Sequence, residues 1–187
     1  PGQFAAGIVF LPREDAQRAT CKQVGEDIIA AQGQHLVGWR AVPTETAAAD
    51  IGPTARAGEP HIEMLVVQAG VRSPESGGGD ASSSSLQSPA SSLSGDAFER
   101  QLYLIRKQAS HQLRSNTGLS QAKMFYINSL STKVIIYKGM LTTDQLFKYY
   151  PDLADEDYTS HLAMVHSRFS TNTFRSCDRA PPNRFIS

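Results

Sequence analysis

The chain has 187 residues, 40% of them apolar and 19% charged, and its 18 Lys plus Arg balance 18 Asp plus Glu. That length and apolar content suit one domain with a buried core and exclude a wholly disordered chain. The balanced charge leaves no global field to hold nucleic acid or an anionic membrane surface, and no apolar run nears the roughly 20 residues a membrane helix needs.

Residues 5–11 form a short apolar run stopped by Pro12, which predicts a buried strand. Glu14 and Asp15 then suit a helix start, and Ala16, Thr20, Val24 and Ile28 at four-residue spacing predict an amphipathic helix before Gly33. Residues 35–42, ending at Pro43, and 61–68, after a Gly/Pro-punctuated connection, predict two more strands. Between 73 and 94 the chain is Ser, Gly and Pro with almost no large apolar side chain, so ordering it would cost entropy that burial could not offset. It is expected to be a flexible insertion.

Asp96 opens a second helix with Phe98, Leu102, Ile105, Ala109 and Leu113 on one stripe and Glu99, Arg100, Arg106 and Lys107 turned away. Residues 125–130 and 133–137 predict a strand pair joined across Ser129 to Thr132. Thr143 is the expected cap of a short helix over 144–150, stopped by Pro151. Residues 162–169 predict a final strand that delivers His166 and Arg168 to a polar loop. The first six elements run strand, helix, strand, strand, helix, strand, the order of a ferredoxin-like unit.

Several residues invite chemistry. His166-Ser167-Arg168 suggests a serine hydrolase, but neighbours on a strand point to opposite faces and no Gly-x-Ser-x-Gly elbow is present. Arg168 followed by Ser170, Thr171, Asn172 and Thr173 fits a small-carboxylate site better, because a guanidinium fork pairs bidentately with a carboxylate while hydroxyl and amide groups orient it. Local chemistry leaves a structural salt bridge at Arg168 equally open. Pro1 carries a secondary amine of the kind tautomerases use, but a fragment boundary explains it better. Cys21 and Cys177 lack a CxxC spacing or a positioned base, so they predict neither a zinc site nor an activated thiolate, and Cys177 is expected to pack in its loop. Lys138-Gly139 lacks the rest of a phosphate loop and reads as a strand-ending turn.

Six segments together resemble the amidotransferase region of glutamate synthases. They are Gly38-Trp39-Arg40-Ala41-Val42-Pro43, the run from Phe98 to Lys107, Phe125-Tyr126-Ile127-Asn128-Ser129-Leu130-Ser131, Val134-Ile135-Ile136-Tyr137-Lys138-Gly139-Met140-Leu141, Tyr150-Pro151-Asp152-Leu153 and His166 through Thr173. The end of the chain, with Asp178-Arg179-Ala180 and Pro182-Asn183-Arg184, is most similar to the NADH-dependent eukaryotic type, whereas Phe174-Arg175-Ser176-Cys177 departs from the usual Phe-Pro-Ser-Trp.

The resemblance implies an α/β chain that is an incomplete amino-terminal-nucleophile αββα sandwich, overriding the ferredoxin-like order as a global fold. Residues 1–187 would be a partial type-2 glutamine amidotransferase domain carrying the 73–94 insertion. It also implies glutamine as substrate, with Arg168 on its α-carboxylate and Thr171 and Asn172 beside it. The nucleophilic cysteine is expected before Pro1 and the oxyanion-hole His-Asn-Gly after Ser187, so no catalytic residue and no metal ligand is expected within the chain. FMN, an iron–sulfur cluster and NADH or ferredoxin as electron donor would belong to the remaining synthase domains of the parent polypeptide, an oxidoreductase of ammonia assimilation in plastid or cytoplasm. The competing expectation is a noncatalytic ligand-sensing module on a ferredoxin-like sheet.

Overall fold

A computed structural model describes residues 2–70, 95–116, 118–166 and 176–180. Within them the chain is a mixed α/β structure: strand β1 (Phe4–Leu11), helix α1 (Asp15–Ala31), β2 (His35–Ala41), short helix α2 (Pro53–Ala57), β3 (His61–Gln68), helix α3 (Gly95–Arg114), β4 (Tyr126–Ile127) and helix α4 (Thr143–Tyr149). The 73–94 insertion lies outside the described residues.

The strands form one antiparallel sheet in the order β2-β3-β1-β4. With α1 and α3 as the crossovers, this is the spatial order expected of the ferredoxin-like succession read from the sequence. β1 lies inside the sheet, paired with β3 from Phe4↔Gln68 to Leu11↔His61.

Alternation splits these strands between two cores. Ala5, Val9 and Leu11 of β1 join Leu65 and Val67 of β3 under the helices, where they meet Cys21, Ile28 and Ile29 of α1 and the whole predicted stripe of α3. Ile8, Phe10 and Ile62 face the other way, against Val42, Ala49, Ile51, Tyr149 and Tyr150. Of the helices, the short α2 and α4 reach that second face, through Ala55, Leu146 and Tyr149. Its far end carries Phe4, 54% exposed.

Several expectations need correction. The α1 stripe is misread at its start: Ala16 and Thr20 are exposed, and the buried residues are Cys21, Gly25, Ile28 and Ile29. Strict four-residue spacing drifts about 40° per step around a helix of 3.6 residues per turn, so Ala16 ends roughly 120° from Ile28. The stripe of α3 mixes steps of three and four and stays on one face.

The expected strand over 125–130 shortens to β4. The chain pairs with β1 at Val9↔Ile127, bulges, and meets it again only at an isolated bridge between Ala6 and Ser131. Gly7 explains the bulge: a Cβ built there would lie 1.7 Å from the carbonyl oxygen of Ser129.

Residues 133–137 form no strand, and the expected pair is absent. Side chains capture their backbone instead: the N–H of Ile136 donates to Ser129 Oγ at 3.1 Å and that of Lys133 to Ser131 Oγ at 3.1 Å.

The cap of α4 is Thr142 rather than Thr143, with its N–H donating to Gln145 Oε1 at 3.0 Å. Residues 162–166 are not a strand, and Leu162, Met164 and Val165 are 76%, 64% and 62% exposed. Their apolar pattern has no partner strand among the described residues, and the remainder of that expected strand lies outside them.

Candidate functional site

Arg168, Thr171 and Asn172 lie outside the described residues. His166, at the near side of that segment, is exposed, and Ser176–Ala180 re-enters on the far side as a turn. The described residues thus include the turn that follows the predicted carboxylate loop in sequence.

That turn centres on Asp178. Its carboxylate accepts from Arg114 Nη2 at 3.0 Å, from the end of α3, and from Ser176 Oγ at 2.5 Å. Its backbone carbonyl accepts from Lys138 Nζ at 2.7 Å. The Lys138 ammonium also sits 4.3 Å from the centre of the Tyr126 ring, which delivers a π face to it from β4.

Electrostatics follow the geometry. Burial would raise the Asp178 carboxyl, but the hydrogen bonds of Ser176 and Arg114 and the charge of Arg114 outweigh it, so its pKa falls below the usual value. Burial pushes Lys138 down to about 8, against the opposing pull of Asp178 and Cys177. Lys138 thus points into the interior, and Lys138-Gly139 is no phosphate loop.

Cys177 packs with the second core, its Sγ 3.6 Å from the Gly58 carbonyl. Burial raises its pKa. It shares with Met140, Leu141, Tyr149 and Tyr150 a void of ≈ 20 Å³, about the room of one water and too small for a substrate. Cys21 is fully buried and raised to about 11 by burial. The two cysteines belong to different cores, so they do not fit an iron–sulfur cluster. Among the described residues no group of three His, Cys, Asp or Glu could hold a metal.

A second polar constellation was not legible in the sequence. Arg40 forks onto both carboxylate oxygens of Asp152 at 2.7 Å each, and Tyr137 OH donates to the same carboxylate at 3.0 Å. The hydrogen bond from Arg40 is the main reason the Asp152 pKa is lowered. Three of the six motif segments meet here, drawn together from distant parts of the chain. Nothing local in the sequence signals that meeting. A third feature is an open cleft of ≈ 370 Å³ between α3 and residues 129–134, edged by Glu99, Arg100, Tyr103 and Arg106. Glu99 is occupied there in accepting from Ser131 and Thr132, at 3.0 Å and 2.6 Å.

Comparison with known proteins bears on what these features serve. The profile of the class-II glutamine amidotransferases matches residues 1–187. The chain is 36% identical over 184 residues to the large chain of the NADPH glutamate synthase of Bacillus subtilis, covering 98% of this chain and 10% of that protein. It is 37% identical over 191 residues to the NADH glutamate synthase of Saccharomyces cerevisiae, covering 99% and 8%. Against the chloroplastic ferredoxin-dependent glutamate synthase of Spinacia oleracea it is 35% identical over 180 residues, covering 96% and 10%. The chain thus spans about a tenth of the length of these relatives, and the near-equal identities do not single out one electron donor.

Proposed function

The chain belongs to the class-II glutamine amidotransferases, and on that premise we propose that it is the glutamine-binding part of the amidotransferase domain of a glutamate synthase. The observation that carries the reading is the alignment of nearly the whole chain with glutamate synthases that use three different electron donors. Residues 1–187 are then a partial domain with its insertion at 73–94.

In this reading Arg168 pairs with the α-carboxylate of glutamine, and Thr171 and Asn172 orient the molecule beside it. The attacking thiolate and the oxyanion donors come from elsewhere in the polypeptide, so this chain binds and orients but does not cleave. The amide nitrogen leaves as ammonia and the rest of the molecule as glutamate. The parent protein uses that ammonia for reductive synthesis of glutamate from 2-oxoglutarate, with FMN, an iron–sulfur cluster and a nicotinamide or ferredoxin donor in its other domains. Among the described residues the two cysteines do not fit an iron–sulfur cluster.

The half-covered face of the sheet supports an αββα sandwich, since a second sheet stacked on Phe4 and its neighbours would cover it. The chloroplastic relative supports a plastid, with the cytoplasm as the alternative.

The test is Arg168→Ala in the full-length protein, assayed with glutamine and, separately, with ammonia supplied directly. KM for glutamine should rise about 100-fold, the scale of a lost bidentate charge-assisted pair, with ammonia-driven turnover unchanged. An unchanged KM overturns the site. The sheet order favours one second reading, a noncatalytic ligand-sensing module. Full-length protein that binds glutamine yet never releases ammonia from it would favour that reading.

A further inference from the structure

Arg100, Tyr103 and Arg106 follow one another at three-residue spacing on α3, so they form one ridge, and all three line the open cleft of ≈ 370 Å³ beside residues 129–134. The buried Leu130 and the exposed Tyr103 and Val134, 44% and 48% accessible, give that cleft apolar walls. The Arg106 guanidinium stands 5.1 Å and the Lys107 ammonium 5.7 Å from the centre of the Tyr103 ring. One ring thus gathers two cations, and Arg100 adds a third about one turn earlier.

This ridge is electrostatically unbalanced. Glu99, the acid of the cleft, is engaged on Oε1 by Ser131 Oγ at 3.0 Å and by the N–H and Oγ1 of Thr132 at 2.6 Å each. Asp96 lies toward Lys133 at 3.8 Å. Among the described residues neither Arg100 nor Lys107 pairs with a carboxylate. Like charges held this close repel, and carboxylates brought from outside would offset the repulsion.

A helix rises about 1.5 Å per residue, so the three cations are strung over roughly 10 Å along its axis instead of converging on one point. That spacing suits carboxylates carried along a polypeptide better than a single small anion. Arg and Tyr around an apolar cleft are also the side chains that dominate the energetics of protein interfaces. The chain spans about a tenth of the length of the glutamate synthases it matches, so a much longer polypeptide accompanies it in the function proposed above. We infer that the cleft beside α3 is a docking site for an acidic segment from the remainder of the same polypeptide. An apolar side chain of that segment seats against Leu130 and Val134, and its carboxylates face Arg100, Arg106 and Lys107. The inference rests on the proposed function only for the existence of that longer polypeptide.

The experiment is carbodiimide cross-linking of the full-length protein, as an equal mixture of isotope-labelled and unlabelled chains, read by mass spectrometry. Carbodiimide joins an amine to a carboxylate in contact with it, and Lys107 supplies the amine. Lys107 should be joined to an Asp or Glu outside residues 1–187, in pairs of a single isotope. Arg100→Glu should cut the yield of that link about tenfold, because it sets like charges against each other, while Arg100→Lys should keep it within about twofold of the parent. Arg100 is exposed, so both variants should keep the urea midpoint of the parent.

The inference is overturned if Lys107 forms no link, links only to carboxylates within residues 1–187, or links only between isotopes, which marks a second copy. It is also overturned if Arg100→Glu leaves the yield unchanged, or if Arg100→Lys lowers it as much as Arg100→Glu does. Arg168→Ala reads the glutamine site separately. A missing link with the KM effect of Arg168→Ala intact refutes the docking site alone, whereas a link that persists while Arg168→Ala has no effect refutes the glutamine site alone.

Discussion

At the scale of single residues, the fold leans on positions whose importance lies in what they lack or in whom they meet. Gly7 lacks a Cβ that would strike the Ser129 carbonyl at 1.7 Å. Gly7→Ala should therefore destabilise the chain by about 3 kcal/mol, read from the midpoint of urea unfolding, because the obstacle is backbone on the neighbouring strand and cannot turn aside. Gly7 was legible only as one member of an apolar run. The bulge that demands it is a tertiary event, created where residues 127–131 cross β1. Arg40 and Asp152 show the same limit: each is an unremarkable charged residue in sequence, and only the fold makes them a fork. The carboxylate residues Arg168, Thr171 and Asn172 were read from local chemistry and family resemblance, and they stand as proposals.

At the scale of elements, periodicity was a good guide where the stripe was dense and mixed steps of three and four. Phe98, Leu102, Ile105, Ala109 and Leu113 of α3 are all buried, as read. Leu102→Ala should cost about 2–5 kcal/mol, while Lys107→Ala on the outer face should change stability by less than about 0.5 kcal/mol, both measured by thermal or urea unfolding. Equal effects would mean that the helix is not docked by that stripe. The α1 stripe failed because a four-residue rule drifts around the helix. Residues 133–137 failed because Ser129 and Ser131 offer their backbone N–H groups a local acceptor, and no apolar pattern announces that competition.

For the whole molecule, titration reports how the charged groups are held. Lys138 is lowered to about 8 in the fold from an unfolded value of 10.5. Between those values the unfolded chain binds the proton that the folded chain has released, so stability should rise as pH increases through that window. Lys138→Met should flatten this slope, as measured by urea midpoints at stepped pH. Asp152 and Asp178 are lowered, so each contributes stability above the ordinary carboxylate range. That contribution is lost as pH falls from the unfolded value of 3.8 through the folded values, and Asp152→Asn should shift the acid limb of the stability curve.

The sequence by itself determined the chain's class, the position of its three longer strands and two long helices, the content of the α3 stripe and the resemblance that marks its family. These are local or periodic properties, set by which side chains recur on one face of one element. Only the tertiary structure decided where β4 breaks around Gly7, that Arg40 meets Asp152, and that Lys138 and Arg114 converge on Asp178. Those depend on contacts between residues far apart in the chain.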